Sequence, residues 1–189
     1  MIIGTHSVLR FSEPEDAHFY RDLYFQGGPK AALLDARREY ASPTLQEIRE
    51  LLQKSESARA FLFTIEDPDG RLQGWCGLRA LNIEAAYCEL FLVFASPEAY
   101  AGPMADEALG ALLDRAFNRL GLRKVLATCL DCEGALHACL LRHGFRSCGV
   151  QRDVLFSKEG WRGMDTLSLE RAAHASNQTP GPGPGVTVP

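Results

Sequence analysis

The clearest pattern of apolar and polar positions lies between Ala86 and Gly121. Residues 87–94 form an aromatic and β-branched run with one charge, Glu89, and this run predicts a mostly buried strand. After a loop of small residues, apolar side chains recur in steps of three and four, which places one helical face at Leu109, Leu112, Leu113, Ala116, Phe117 and Leu120. Gly121 then stands where a helix C-cap is expected. A strand joined in this way to a helix N-terminus offers backbone N–H groups and a positive dipole end to a phosphate.

Shorter runs on both sides of this stretch predict the rest of a mixed sheet with helices on its faces. Six of them have strand character, at residues 8–11, 60–65, 72–78, 124–130, 149–156 and 164–169. Helices are predicted over residues 14–25, 31–40, 44–53 and 134–143. An Asp-Pro-Asp-Gly turn at 67–70 favours a hairpin, and the first four strands are expected to pair consecutively and antiparallel. The strand at 124–130 follows the central helix, so a right-handed crossover would place it parallel to 87–94.

The composition is typical of a single-domain cytoplasmic protein. The 189 residues suffice for one sizeable core. No stretch approaches the roughly 20 apolar residues of a membrane span, and the N-terminus lacks the pattern of a secretory signal. The formal net charge of −4 argues against nucleic acid as the main partner and is compatible with a cationic substrate. The six cysteines are spread along the chain, which favours reduced structural thiols over disulfides or a metal site.

The composition changes near the C-terminus. From about Ala172 the chain becomes polar and then repeats Pro-Gly, a composition that buries too little apolar surface to order itself. We therefore expect one domain over residues 1–171 and a disordered tail over residues 172–189. Both a monomer and a homodimer are compatible with these features.

The order of the predicted elements and three stretches of sequence resemble a known family. The stretches are Leu9-Arg10-Phe11 with Glu15-Asp16-Ala17, Asp69 through Leu78, and His143 through Asp153 with Gly160 through Asp165. They resemble the GNAT acyltransferase superfamily, and locally its RimJ/RimL-like N-acetyltransferase branch. The resemblance covers residues 8–171 and implies a mixed, mostly antiparallel α/β sheet of about seven strands, with a splayed parallel pair at its centre.

The resemblance also implies transfer of an acyl group, usually acetyl, from acetyl-CoA to a small-molecule primary amine or a protein N-terminus. In that family the pantetheine arm lies along the central strand, and the pyrophosphate lies on the loop before the central helix. The corresponding donor-binding residues are Phe91, Leu92 and Val93 for the arm and Tyr100, Ala101, Gly102, Met104 and Ala105 for the phosphates. Asp131 and Glu133 are expected to line the donor cleft where the parallel pair splays.

Four positions depart from the family pattern. Tyr100 replaces an Arg or Gln, and Pro103, which has no N–H, replaces the first Gly of the loop. Glu133 replaces an Asn on the pantetheine side, and Leu140 replaces a Tyr that some relatives use as a general acid. Two alternatives therefore stay open: a non-catalytic acyl-CoA-binding or interaction module, and an acyltransferase with a carrier-protein-bound or longer acyl donor.

Attack of an amine on a thioester needs a proton acceptor and a donor to the developing oxyanion. Glu89 is the first candidate base, because desolvation inside an apolar strand would make its carboxylate a stronger base. The alternative is a Glu89 that faces solvent or forms a structural ion pair. His137 is a second catalytic candidate, with an ordinary surface histidine as its alternative. The oxyanion donor is expected to be a backbone N–H near Leu92 or Val93.

Overall fold

One eight-stranded sheet carries helices on both faces. The computed structural model describes residues 1–25, 43–157 and 160–178. Its strands are β1 (Ile2–Ile3), β2 (Val8–Phe11), β3 (Phe61–Glu66), β4 (Leu72–Asn82), β5 (Tyr87–Phe94), β6 (Lys124–Leu130), β7 (Arg146–Ser157) and β8 (Gly160–Glu170). Its described helices are α1 (Ala17–Phe25), α2 (Leu45–Leu52), α3 (Pro103–Asp114), α4 (Gly134–Arg142) and α5 (Arg171–Gln178). Turns of 3-10 helix at Pro14–Asp16 and Pro97–Ala101 come before α1 and α3, and a π-helical turn at Arg115–Arg119 follows α3.

The sheet order is β1-β2-β3-β4-β5-β6-β8-β7. Neighbouring strands are antiparallel throughout, except for the parallel pair β5–β6. The predicted α/β class, the consecutive pairing of β2 to β5 and the parallel pair are confirmed. The eighth strand, beyond the seven expected, is the two-residue β1, which is too short to give a pattern in the sequence.

One helix, α2, begins at a capping signal that is visible in the sequence. At α2, the Thr44 hydroxyl accepts the Glu47 N–H at 3.2 Å, and the Glu47 carboxylate accepts the Thr44 N–H at 2.7 Å. This reciprocal cap satisfies two N–H groups of the first turn. The helix predicted at 31–40 lies outside the described residues.

Two apolar clusters pack on opposite faces of the sheet. The first lies against α3 and α4 and contains Leu90, Leu92 and Phe94 of β5. The second lies against α1 and α2, around Trp75, with Phe91 packed on it. Because side chains alternate along a strand, β5 contributes to both clusters. The candidate site residues of β5 are therefore divided between two faces.

The structure differs from the sequence-based expectation just after β8. Residues 171–178 form α5, in which His174 is buried and its ring lies 5.1 Å from that of Phe117. Burial lowers the pKa of His174. The alanines around this histidine favour a helix, and Ala173 packs against the first cluster. The expected tail thus begins too early at residue 172, and its remaining part, 179–189, lies outside the described residues.

Candidate active site

The two parallel strands separate halfway along the sheet. β5 and β6 pair only from Tyr87 with Lys124 to Leu90 with Ala127. Beyond that point β5 stays paired to β4 as far as Phe94, and β6 stays paired to β8. A gap therefore opens between residues 91–94 and residues 128–130.

The backbone of β5 faces this gap at alternate residues. The Ala86 C=O accepts the Lys124 N–H from β6 at 3.2 Å, whereas the Ala95 N–H donates to the Gln73 C=O on the β4 side at 2.9 Å. Since backbone direction alternates along an antiparallel strand, even-numbered residues of β5 face β6 and odd-numbered ones face β4. The N–H and C=O of Leu92 therefore point into the gap.

A cavity of about 350 Å³ extends through the gap from one face of the sheet to the other. Its apolar lining includes members of both clusters: Leu51, Ala60, Leu62, Trp75, Leu90, Phe91, Leu92, Val93, Ala127, Leu136 and Leu140. Its polar lining consists of Lys54, Ser57, Arg79 and Thr128. A ligand can thus reach the Leu92 backbone from the α2 side and from the α4 side.

Tyr100 closes the outer end of the gap. Its hydroxyl accepts the Phe94 N–H and donates to the Leu92 C=O, each at 3.2 Å. The ring packs edge-on against Phe94 with 5.2 Å between centroids, and the side chain is 6% exposed. Burial raises the pKa of this phenol, so it stays protonated and able to donate. Beyond it lies a smaller cavity of about 80 Å³, which is lined by Tyr100, Pro97 and residues 132–136.

In the loop predicted to bind phosphates, some backbone N–H groups donate to carbonyl groups of the loop itself. The Gly102 N–H donates to the Ala99 C=O at 3.1 Å, and the Ala105 N–H donates to the Gly102 C=O at 3.2 Å. Pro103 begins α3 and has no N–H. This loop therefore offers fewer free backbone N–H groups to a phosphate than a loop built from glycines would.

A cation lies beside the same loop. The Arg142 guanidinium at the end of α4 donates to the Tyr100 C=O at 3.0 Å and to the Asp106 carboxylate at 2.7 Å. The His143 ring lies 3.4 Å from the same carboxylate. The loop thus has a partly neutralised arginine that sequence patterns did not select.

Glu89 forms an ion pair at the rim of the large cavity. Its Oε2 lies 3.1 Å from Nε of Arg79, its partner in the β4–β5 register, and its side chain is 37% exposed. The Arg79 guanidinium also lies 5.7 Å from the centre of the Phe91 ring. Glu89 therefore has the ion pair that was the structural alternative to a base buried in an apolar strand. Glu89 shares the strand face of Phe91, about 7 Å from it along the strand.

His137 is directed away from both cavities. Its Nε2 lies 3.0 Å from the Asp165 carboxylate of β8, which also accepts the Ser147 hydroxyl at 2.6 Å. These contacts tie α4 to the C-terminal strands. The catalytic role predicted for His137 has no support from this geometry.

Asp131 and Glu133 have different surroundings. The Asp131 carboxylate accepts the Gly163 N–H at 2.8 Å and so holds the β7–β8 hairpin, outside both cavity linings. The Glu133 carboxylate accepts the Leu130 N–H at 2.9 Å, and Glu133 lines the smaller cavity. Of these two residues, only Glu133 lines a cavity, as a donor-binding role would require.

The polar and aromatic cavity residues that sequence reasoning missed include Lys54, Ser57, Trp75 and Thr128. They come from the segment after α2, from β4 and from β6, and no local motif connects them. Trp75 is a large aromatic residue beside two glycines of a strand, which is the one signal that selects it. Lys54 and Ser57 become neighbours of Phe91 only through packing of α2 on the sheet.

The cysteines and the helices bear on metal binding and on membrane spanning. Cys129 and Cys132 have C-x-x-C spacing, but the first is buried and the second exposed. Within residues 1–25, 43–157 and 160–178, no group of three His, Cys, Asp or Glu side chains is arranged to hold a metal ion. No helix in those same ranges is long and apolar enough to span a bilayer.

Comparison with known proteins supplies the context for this site. A family model described as "Acetyltransferase (GNAT) domain" matches residues 8–146. No curated protein matches the chain significantly. The spermidine N-acetyltransferase of Vibrio cholerae, solved with CoA and spermine, has a TM-score of 0.75 at 19% identity, over 91% of this chain and 99% of its own. The spermidine/spermine N-acetyltransferase of the same organism, solved with manganese, gives a TM-score of 0.71 at 18% identity, over 93% and 98%.

Proposed function

This chain belongs to the GNAT acetyltransferase domain family, and we propose that it acetylates a small-molecule primary amine held in the cavity beside Leu92. The family consists of acyl-CoA-dependent N-acetyltransferases that use acetyl-CoA as co-substrate. The observation that carries this proposal is the gap between β5 and β6, which the cavity crosses from face to face. The thioester enters from the α4 side and the amine from the α2 side. The two reactants then meet at the Leu92 backbone.

The gap fits an extended donor chain that contains amide groups. Such a chain binds a strand edge through backbone hydrogen bonds, and the Leu92 N–H is directed toward it, whereas the Leu92 C=O accepts the Tyr100 hydroxyl. The Leu92 N–H is the proposed donor to the thioester carbonyl oxygen. The Val93 backbone faces β4, opposite Trp75, so it is not selected for this role. A preorganised N–H in an apolar cavity stabilises the charge that develops on this oxygen.

The reaction needs one bond formed and one broken. The amine nitrogen bonds to the carbonyl carbon, the carbon–sulfur bond breaks, and one proton leaves the nitrogen. Glu89 at the cavity rim is the proposed acceptor of this proton, through water. Leu140 is buried in the cavity wall and donates no proton, so the sulfur leaves as a thiolate. A thiol with a pKa of about 8.5 leaves readily as its anion at neutral pH.

The pyrophosphate is proposed to lie at the N-terminus of α3. Met104 is in the first turn of this helix, where N–H groups have no intrahelical acceptor. Arg142 supplies the cation, and a phosphate would compete with Asp106 for it. Ala101 and Gly102 contribute small size, which lets a phosphate approach the backbone. This arrangement replaces the Arg or Gln that the family carries at Tyr100.

The acceptor is proposed to be small because of the size of the cavity. A volume of about 350 Å³ is within the range of sites for small molecules. The Vibrio cholerae enzymes of the same fold carry the names of amine substrates, spermidine and spermine, which supports the same coarse class. A protein N-terminus and membership of the RimJ/RimL-like branch stay predictions. The open cavity does not favour the non-catalytic module, which would be expected to have an occluded cleft.

Glu89→Gln tests this proposal together with Glu84→Gln as a matched control. Glu84 is an exposed carboxylate in the turn before β5 and does not line the cavity. With acetyl-CoA and a panel of primary amines, thiol release is measured with a chromogenic disulfide, and the N-acetyl product by mass. Loss of the base is expected to lower kcat by about 100-fold. The KM for acetyl-CoA should stay unchanged, and the control should keep wild-type kcat.

Two results would count against these assignments. A wild-type kcat in Glu89→Gln rejects this residue as the base. No thiol release with any amine, in protein whose fold is verified by circular dichroism, rejects acetyl transfer to small amines. The ratio of the wild-type kcat to the Glu89→Gln kcat should decrease at high pH, because more of the amine is then already neutral.

A further inference from the structure

The charged groups of the cavity lining all carry the same sign. Among the described residues of that lining, Lys54 and Arg79 are the charged ones, and both are cations. Lys54 follows α2, is exposed at the cavity mouth, and has no ion-pair partner in the part of the chain that the structure describes. Arg79 is paired with Glu89 at 3.1 Å, but Glu89 itself does not line the cavity. Among the described residues, Lys54 is therefore an uncompensated cation.

The walls below these cations are apolar. Trp75 and Phe91 meet edge to face with 4.8 Å between centroids, and Leu51 and Leu62 complete this side of the cavity. The Arg79 guanidinium is held over the Phe91 ring at 5.7 Å, which directs its charge toward the cavity. The site thus combines an apolar body with a cationic mouth.

From this combination we infer that the acceptor is an amine with an apolar body and a carboxylate or another anionic group, and not a polyamine. The anionic group pairs with Lys54 and Arg79, the body contacts Trp75 and Phe91, and the amine reaches the thioester beside Leu92. A polyamine brings several ammonium groups to a mouth where Arg79 is paired with Glu89 and Lys54 adds a further positive charge, and like charges repel. This inference rests on the proposed acetyl transfer and specifies its acceptor.

The test compares amines that differ only in a carboxylate. The pairs are phenylalanine with phenethylamine and 6-aminohexanoate with hexylamine, and spermidine is assayed alongside them. In wild type, kcat/KM for the carboxylated member is expected to exceed that of its partner at least tenfold in one pair or both. Spermidine is expected to be the poorest acceptor of the panel.

Lys54 variants attribute the preference to the cavity mouth. Lys54→Gln should raise KM for the carboxylated amines about tenfold and leave kcat unchanged, because the lysine only binds the acceptor. Lys54→Glu should reverse the order and favour hexylamine and spermidine. Arg59→Gln is the matched control, since Arg59 is an exposed cation near the mouth that does not line the cavity. It should keep the wild-type preference.

The outcomes separate this inference from the proposed function. Equal kcat/KM within both pairs, or spermidine as the best acceptor, overturns the inference and leaves acetyl transfer intact. A carboxylate preference that persists in Lys54→Glu also overturns it. Failure of every amine in the panel overturns acetyl transfer to small amines itself.

Discussion

At the scale of single residues, Tyr100 caps the edge of β5 where this strand is no longer paired with β6. Its hydroxyl bridges two backbone groups of β5 that face away from β4, the Leu92 C=O and the Phe94 N–H. Both groups are buried and need partners, because an unpaired buried polar group is costly. A phenol at the end of a rigid ring reaches both at once. In this way one side chain closes the separated strands at their outer end.

Tyr100→Phe is expected to destabilise the protein while keeping the ring in place. The change removes both hydrogen bonds and leaves the Leu92 C=O and the Phe94 N–H unpaired, which costs about 1–3 kcal/mol. Urea unfolding followed by circular dichroism measures the loss. Tyr87→Phe is the control, because Tyr87 lies in β5, whose backbone groups Tyr100 bridges, and is partly exposed. Equal unfolding midpoints for the two variants would contradict the bridging role.

At the scale of elements, α4 connects the two halves of the candidate site. Its inner face gives Leu136 and Leu140 to the large cavity, and its last turn carries Arg142 to the loop before α3. His137, on another side of the helix, is held by Asp165 of β8. The position of the loop before α3, where the pyrophosphate is proposed to bind, therefore depends on the docking of a helix that follows it by some 30 residues in sequence.

Arg142→Gln is expected to weaken donor binding. Loss of one charge-assisted contact to a phosphate on a partly exposed side chain costs about 1.4 kcal/mol, which is tenfold in Kd. Isothermal titration with acetyl-CoA measures the change, and its salt dependence should decrease as well. Arg119→Gln is the control, because Arg119 is an exposed arginine that pairs with Asp114 far from this loop. A Kd within twofold of wild type would remove Arg142 from the donor site.

At the scale of the whole molecule, a buried polar network joins the first strands to the turn before α1. The Asp16 carboxylate accepts the Arg10 guanidinium at 2.7 and 2.8 Å, the Thr64 hydroxyl at 2.7 Å and the Glu13 N–H at 2.9 Å. Burial by itself raises the pKa of Asp16, but these hydrogen bonds outweigh burial and lower it. The network therefore stabilises the fold only while this carboxylate is ionised.

The pH dependence of stability follows from this shift. A carboxyl group whose pKa is lower in the folded state than in the unfolded state stabilises the fold at pH values above its unfolded-state pKa, which is 3.8 here. This stabilisation is lost as the pH falls toward the pKa of the folded state. Asp16→Asn should cost about 3 kcal/mol near pH 7, because Arg10 loses its partner. Its unfolding free energy should also fall less steeply below pH 4 than that of wild type. Asp69→Asn, in an exposed turn, is the control, and parallel pH profiles for wild type and Asp16→Asn would contradict the argument.

Much of the site on β5 could be predicted, and most of the acceptor side could not. Glu89, Leu92 and Tyr100 were selected because they belong to one continuous strand, loop and helix. Asp131, predicted to bind the donor, and His137, predicted to be catalytic, were selected in the same way, but the structure directs both toward the C-terminal hairpin. Sequence position gave their element correctly. It did not give the side of the element on which they lie.

The sequence by itself determined the element order, the parallel pair and the family, because these depend on local periodicity, turns and motifs that are read along the chain. Tertiary structure alone decided how far β5 and β6 stay paired, which backbone groups enter the gap, and that Lys54 and Arg79 face the same cavity. The physical reason is that pairing length and cavity lining arise from side chains that are distant in sequence. The chemistry and the charge of the site therefore follow from packing, whereas local patterns specify the strands and helices that carry the site.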